Sequence, residues 1–321
     1  MEATGDHSTS GAGLTDYTGP ATITGASNAL WAPEPAGMPV GLAAMDQRVA
    51  VVTGANQGLG LALVAGLRER LEPTATVYLT GRNPERIAAA AEGLAQRGLV
   101  VAPELLDVGD DDSVARFAGL IDERHGGVDI VFSNAAGRIT PDETPAAQVQ
   151  AYVNATNLGT TRVMRALVPR LRPGARYFVV ASSFGTLRGL PEHLHDRFDN
   201  PKLTLDDINA TMSGWADAVV AGHAAEEGWP EWINIPSKVG QVAAARIVAR
   251  QQRAAGADTF VGAVCPGLVD TGASRPWFDN MDEAQSPEEA ASHLVRLALD
   301  DVDLAPFYGE LVQFGRVLPW R

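Results

Sequence analysis

The chain has 321 residues, 45% hydrophobic and 20% charged, with a net charge of −14 at pH 7. That is an ordinary balance for a soluble globular chain of one or two domains with a large core, and the negative charge argues against a nucleic-acid groove or an anionic membrane surface. A single cysteine excludes an internal disulfide and a cysteine-based zinc site, so no metal is expected and a reducing cytoplasm fits.

Residues 1–46 are rich in Gly, Ser, Thr, Ala and Pro and contain no Lys or Arg. They fit neither a signal nor a transit peptide and are expected to be a disordered or loosely attached extension. The first strong element follows. Val49–Val52 is a short β-branched run suited to a strand buried on both faces. It ends in Thr53 and Gly54, and Gly58 and Gly60 precede an apolar-periodic helix. A strand, a glycine turn and a helix N-terminus form an anion cradle in which backbone N–H groups meet a pyrophosphate.

Beyond it, strands are predicted at Val77–Thr80, Val100–Leu106, Val128–Ser133, Tyr177–Ser182, Thr259–Val264 and Glu310–Phe314. Helices are predicted at Pro84–Gln96, Asp112–Glu123, Ala147–Leu171, Pro236–Ala254 and Pro287–Leu299. The last opens with Ser286, Pro287 and Glu289, an N-cap, a first-turn proline and a capping acid. Such alternation predicts one α/β domain over 47–321, a doubly wound parallel sheet of about seven strands with helices on both faces. Residues 184–233 are too long for a simple connection and are expected to form an insertion or lid. No apolar run approaches the length of a membrane span.

Thr53-Gly54-x-x-x-Gly58-x-Gly60 resembles the cofactor motif of the short-chain dehydrogenase/reductase family, and further motifs of that Rossmann-type family recur in order from about Gln47 to the C-terminus. The resemblance places the nucleotide on Gly54, Asn56, Gln57, Gly58, Leu59 and Gly60. It places the adenine at Asp107 and Val108, and the fourth strand's turn at Asn134 and Ala135. Pro266, Gly267, Val269 and Thr271 match the segment that lies against the nicotinamide. After the second strand, where NAD enzymes offer a carboxylate to the ribose, this chain has Gly81 and Arg82. A cation there pairs with a 2′-phosphate and favours NADP over the plainer reading of a solvated arginine.

The family's catalytic set is Asn, Ser, Tyr and Lys, with Tyr-x-x-x-Lys spacing. Ser183 follows the fifth strand, and Lys238, one of two lysines in the chain, takes the lysine position and also a cofactor role. The tyrosine position is Asn234, and no tyrosine lies between Ser183 and Lys238. An amide donates hydrogen bonds but is no Brønsted acid near neutral pH. Asn157 is the candidate fourth member, although Asn157-Leu158-Gly159 is one residue tighter than the family's Asn-x-x-Gly, a slip that a helix irregularity would absorb. His193, His195 and Tyr308 are candidate substitute acids, and Trp229, Trp232, Trp277 and Phe278 suggest an apolar, aromatic ligand.

The resemblance is closest to the carbonyl reductase branch, whose insertion covers the helix faces that shorter relatives use for tetramers, so a monomer is implied. It implies an NADP-dependent reductase of a small carbonyl or imine-type metabolite with an atypical proton donor. The alternatives are a non-redox cyclase, isomerase or dehydratase on the same scaffold, or a non-catalytic NADP-binding protein.

Overall fold

The computed structural model describes residues 47–321, so the expectation for the N-terminal extension lies outside the described residues. Eight strands form one sheet in the order β3-β2-β1-β4-β5-β6-β7-β8. They are β1 (Val49–Val52), β2 (Thr76–Gly81), β3 (Ala102–Leu105), β4 (Val128–Ser133), β5 (Leu171–Val180), β6 (Thr259–Val264), β7 (Leu311–Gln313) and β8 (Arg316–Leu318). Neighbours from β3 to β7 pair in parallel. The eighth strand, absent from the sequence expectation, is a three-residue antiparallel return from β7, too short to show a period.

Alternate residues of each strand enter opposite cores because side chains point to alternate faces. Val49, Val51, Tyr78, Val131, Tyr177 and Val179 belong to one apolar cluster, and Ala50, Val52, Leu79, Phe132, Phe178 and Val180 to the other. The second face packs on α1 (Gly58–Arg70), α2 (Pro84–Gln96) and α8 (Pro287–Leu299). The first packs on α3 (Asp111–His125), α4 (Pro145–Val153), α5 (Gly159–Leu167), α6 (Leu205–Ala221) and α7 (Asn234–Ala254).

Helix starts follow local chemistry. The Asn83 side chain accepts from the Arg86 N–H with Pro84 in the first turn, and Ser286 and Glu289 close a reciprocal capping box. The insertion contains α6, opened by a second capping box between Thr204 and Asp207. Its Ile208, Met212 and Trp215 are buried in the first core.

One predicted helix is divided. Over 147–171 the chain forms α4, a π turn at Asn154–Leu158, then α5 and a short 3₁₀ turn, and by Leu171 it has entered β5. The π turn is the irregularity expected from the tight Asn157-Leu158-Gly159 spacing. A one-residue shift in the hydrogen-bond ladder reorients every side chain beyond it.

Candidate active site

Strand order reverses between β1 and β4, which opens a crevice at the carboxyl ends of the strands. Thr53 closes its floor. Its Oγ1 accepts from the backbone N–H groups of Asn134 and Ala135, both at 2.9 Å, while Asn134 Nδ2 donates to the carbonyls of Thr53 and Gly54 at 3.0 and 3.2 Å. The Asn134 amide therefore braces two strand ends while its residue lines the cleft.

Two glycines make the approach of these loops feasible. Gly54 has φ +64°, and a Cβ on it would fall 2.8 Å from the Ala135 Cα. A Cβ on Gly60 would come within 2.5 Å of the Gly54 carbonyl oxygen. The helix that follows has no side-chain cap at Gln57 and no acid in its first turn, so its N–H groups and positive dipole end are left for an anion.

The resulting cavity of about 430 Å³ is lined by Gly54, Asn56, Gln57, Gly58, Leu59, Gly60, Arg82, Asp107, Val108, Asn134, Ala135 and Thr271, all expected cofactor residues. Arg86 and Arg138 line it as well. Sequence reasoning missed both, although Arg86 lies only four residues after Arg82, in the first turn of α2. A shape that a Cβ would fill, a free helix N-terminus and two arginines beyond β2, Arg82 in the turn and Arg86 on α2, fit a dinucleotide carrying an extra phosphate.

A second cavity of about 470 Å³ adjoins the first through Leu59, Ala136, Gly137, Arg138, Thr271 and Ala273. It brings together Ser183, Asn234 and Lys238 with Pro266, Gly267 and Val269. Ser183 is exposed in the turn that follows β5, with its side chain beside the Cys265 thiol. Asn234 and Lys238 stand four residues apart at the start of α7 and so share a face. Pro236 is tolerated between them because first-turn N–H groups have no intrahelical acceptor.

Lys238 Nζ donates to Gln241 Oε1 at 2.7 Å, and Gln241 Nε2 donates to Thr160 Oγ1 at 3.0 Å. Desolvation among these walls lowers the lysine's pKa from 10.5 to about 8. Cys265, packed at the end of β6, has its thiol pKa raised by burial, as suits a structural residue.

Asn157 is not with them. It is buried, donating through Nδ2 to the Ser237 carbonyl and accepting from Ser237 Oγ, both at 2.8 Å. Its neighbour Thr156 accepts from the Gly137 N–H at 2.9 Å. The expected substitute acids also lie elsewhere. His193 and His195 bond the carbonyls of Glu227 and Leu190, and Tyr308 packs on Phe260 beneath Arg253. Of the four aromatics, Trp232, Trp277 and Phe278 line the cavity with Phe184, whereas Trp229 packs into the core against Trp215 and Phe198.

The family described as short chain dehydrogenase matches residues 48–192. Carbonyl reductase (NADPH) 1 of Bos taurus is 31% identical over 278 residues, spanning 85% of this chain and 98% of its own. The chain belongs to the short-chain dehydrogenase/reductase family. The Oryctolagus cuniculus protein of the same name is 32% identical over 86% of this chain and 99% of its own.

Among solved structures, salutaridine reductase from Papaver somniferum superposes with a TM-score of 0.68 at 25% identity, covering 83% of this chain and 99% of its own. Menthone neomenthol reductase from Mentha piperita shares the fold with a TM-score of 0.68 at 22% identity, covering 85% and 100%. The chain is carbonyl reductase-like within this family.

One residue at the site was not foreseen. Tyr152, on α4, lines the second cavity and donates its hydroxyl to Asn234 Oδ1 at 2.8 Å. A search for a tyrosine confined to the segment before Lys238 cannot find it, because α4 precedes that segment by some eighty positions.

Proposed function

We propose that this protein reduces the carbonyl group of an apolar, aromatic-bearing small molecule with NADPH. The observation that carries the reading is the continuity of the two cavities. A phosphate-binding crevice with Arg82 and Arg86 at one end opens directly onto Ser183, Asn234 and Lys238 at the other. The mammalian relatives, which are named for NADPH, support the choice of nucleotide.

Bound along this cleft, NADPH supplies a hydride for the carbonyl carbon. The Ser183 hydroxyl and the Asn234 amide offer hydrogen-bond donors to the oxygen that gains the electron pair. That oxygen takes its proton from a hydroxyl or a water in the cleft, because the amide at position 234 releases none near neutral pH. Phe184, Trp232, Trp277 and Phe278 form an aromatic wall against which a planar apolar substrate packs.

The asparagine in place of tyrosine favours one competing reading, a non-redox reaction with the nucleotide held structurally. Oxidation of one NADPH per ketone consumed supports the reductase. Product formed without NADPH oxidation supports the alternative. Hydrogen bonds to charged groups contribute about 1.5–3 kcal/mol, so NADPH is expected to bind more tightly than NADH, and Arg82→Ala to narrow the gap about tenfold or more. Equal dissociation constants for both nucleotides in the unsubstituted protein would remove the NADP assignment.

A further inference from the structure

The Tyr152–Asn234 contact joins two side chains that both line the reaction cavity. Tyr152 is 3% exposed, and burial pushes its pKa up to about 12 despite the nearby hydroxyls of Ser237 and Thr156. A phenol in that setting stays protonated and keeps a proton to donate. In the observed orientation it donates that proton to Asn234 Oδ1 and leaves Nδ2 free, whereas a flipped amide would donate Nδ2 to the phenol oxygen, turn Oδ1 toward the cleft and oblige the phenol's proton to find another acceptor. Nδ2 has no acceptor among the described residues, and Asn234 is only half buried at the mouth of α7.

We infer that Tyr152 is a positioning residue which locks the Asn234 amide with its NH₂ toward the cleft, where with Ser183 it binds the oxygen of a substrate carbonyl. The pair replaces one function of the missing tyrosine, hydrogen bonding to that oxygen, while the proton comes from elsewhere. Two neighbouring networks hold the frame around it. Asn157 and Ser237 pair reciprocally next to Asn234, and Gln241 ties Lys238 to Thr160. The charged side chains lining the same cavity are Lys238 and Arg138, both cationic, so a carbonyl oxygen gaining negative charge meets no carboxylate. The inference rests on the reductase reading for its substrate but not for its binding geometry.

The probe is 2,2,2-trifluoroacetophenone, measured both for binding to the NADP⁺-loaded protein, where no turnover occurs, and for NADPH-dependent reduction. Tyr152→Phe keeps the ring and removes only the hydroxyl. It is expected to lower kcat about tenfold with NADPH affinity and melting temperature nearly unchanged, the range expected of a lost oxyanion donor or somewhat less. Asn234→Asp still accepts from Tyr152 but turns an oxygen toward the cleft. It is expected to bind the ketone at least several-fold more weakly near neutral pH and to recover as the carboxyl protonates in acid, a profile that the unsubstituted protein lacks. A role in packing alone would move melting temperature without that pH profile. Reduction that neither substitution alters overturns the inference and leaves the reductase reading intact. Ketone binding that depends on Asn234 and Tyr152 without NADPH oxidation overturns the reductase reading and leaves the inference intact. Absence of both binding and reduction overturns the two together.

Discussion

At the scale of single residues, Lys238 shows how the cavity imposes its chemistry. Its ordinary pKa of 10.5 falls to about 8 through desolvation of the half-buried ammonium in the folded site. Below about pH 8 both folded and unfolded chains carry the proton, and the folded state bears the full desolvation cost. Between about 8 and 10.5 the unfolded chain keeps the proton while the folded chain has lost it, so this group's contribution to stability rises with pH. Lys238→Met is therefore expected to gain most over the unsubstituted protein at neutral pH, with the gain shrinking as pH approaches about 10. Chemical denaturation of both proteins across that range measures it; a pH-independent difference would mean that the ammonium is solvated. The lysine itself was legible in the sequence from its spacing to Asn234 and from the scarcity of lysine. Tyr152 was not, because its role depends on α4 lying beside the start of α7, a relation between elements that no local pattern encodes. Asn157 was legible as a polar residue at a helix irregularity, but its engagement with Ser237 arises only once α7 has packed.

At the scale of elements, glycine positions divide by what surrounds them. Gly60 lies in the first turn of α1 with its Cα pressed on the preceding loop, and a Cβ there meets the Gly54 carbonyl oxygen at 2.5 Å and Asn134 Nδ2 at 2.6 Å. Backbone cannot yield as a flexible side chain does, and overpacking of this kind costs about 1–3 kcal/mol. Gly60→Ala is expected to lose that much stability and to weaken NADPH binding, since the displaced turn is the anion cradle. Gly93 sits exposed within α2, and a Cβ added to it would have no neighbour inside 4 Å, so Gly93→Ala is expected to stabilise by about 0.5–1 kcal/mol through helix propensity alone. Denaturant midpoints and nucleotide titrations of the two variants test the pair, and similar effects at both sites would contradict this division. The bounds of β4, β6, α2 and α8 coincide with those expected, because apolar runs and caps are local signals. The long helix over 147–171 failed as a single element because a π turn and the early start of β5 are set by contacts across the chain.

At the scale of the whole molecule, the insertion decides which surfaces remain for association. Helix α6 packs on α4 and α7 through Ile208, Met212 and Trp215, so the first face of the sheet is closed from within the same chain. Among the described residues, the exposed large apolar side chains are Val100, Leu105, Val220, Phe314 and Val317, and most of them lie toward the two outer strands. Those edges resist pairing with a second copy. Pro103 interrupts the donor row of β3, and β8 is only three residues long and carries Arg316. A stable interface buries about 800 Å² on each partner, and scattered side chains at short, interrupted edges do not provide it. The net charge of −14 adds repulsion between copies. The protein is expected to sediment as a monomer of 33.8 kDa at both low and high salt. Shortening the insertion by removing α6 should expose the apolar faces of α4 and α7 and drive self-association. A dimer or tetramer of the intact chain that persists at low salt and low concentration would show that a surface other than the one α6 covers has been recruited.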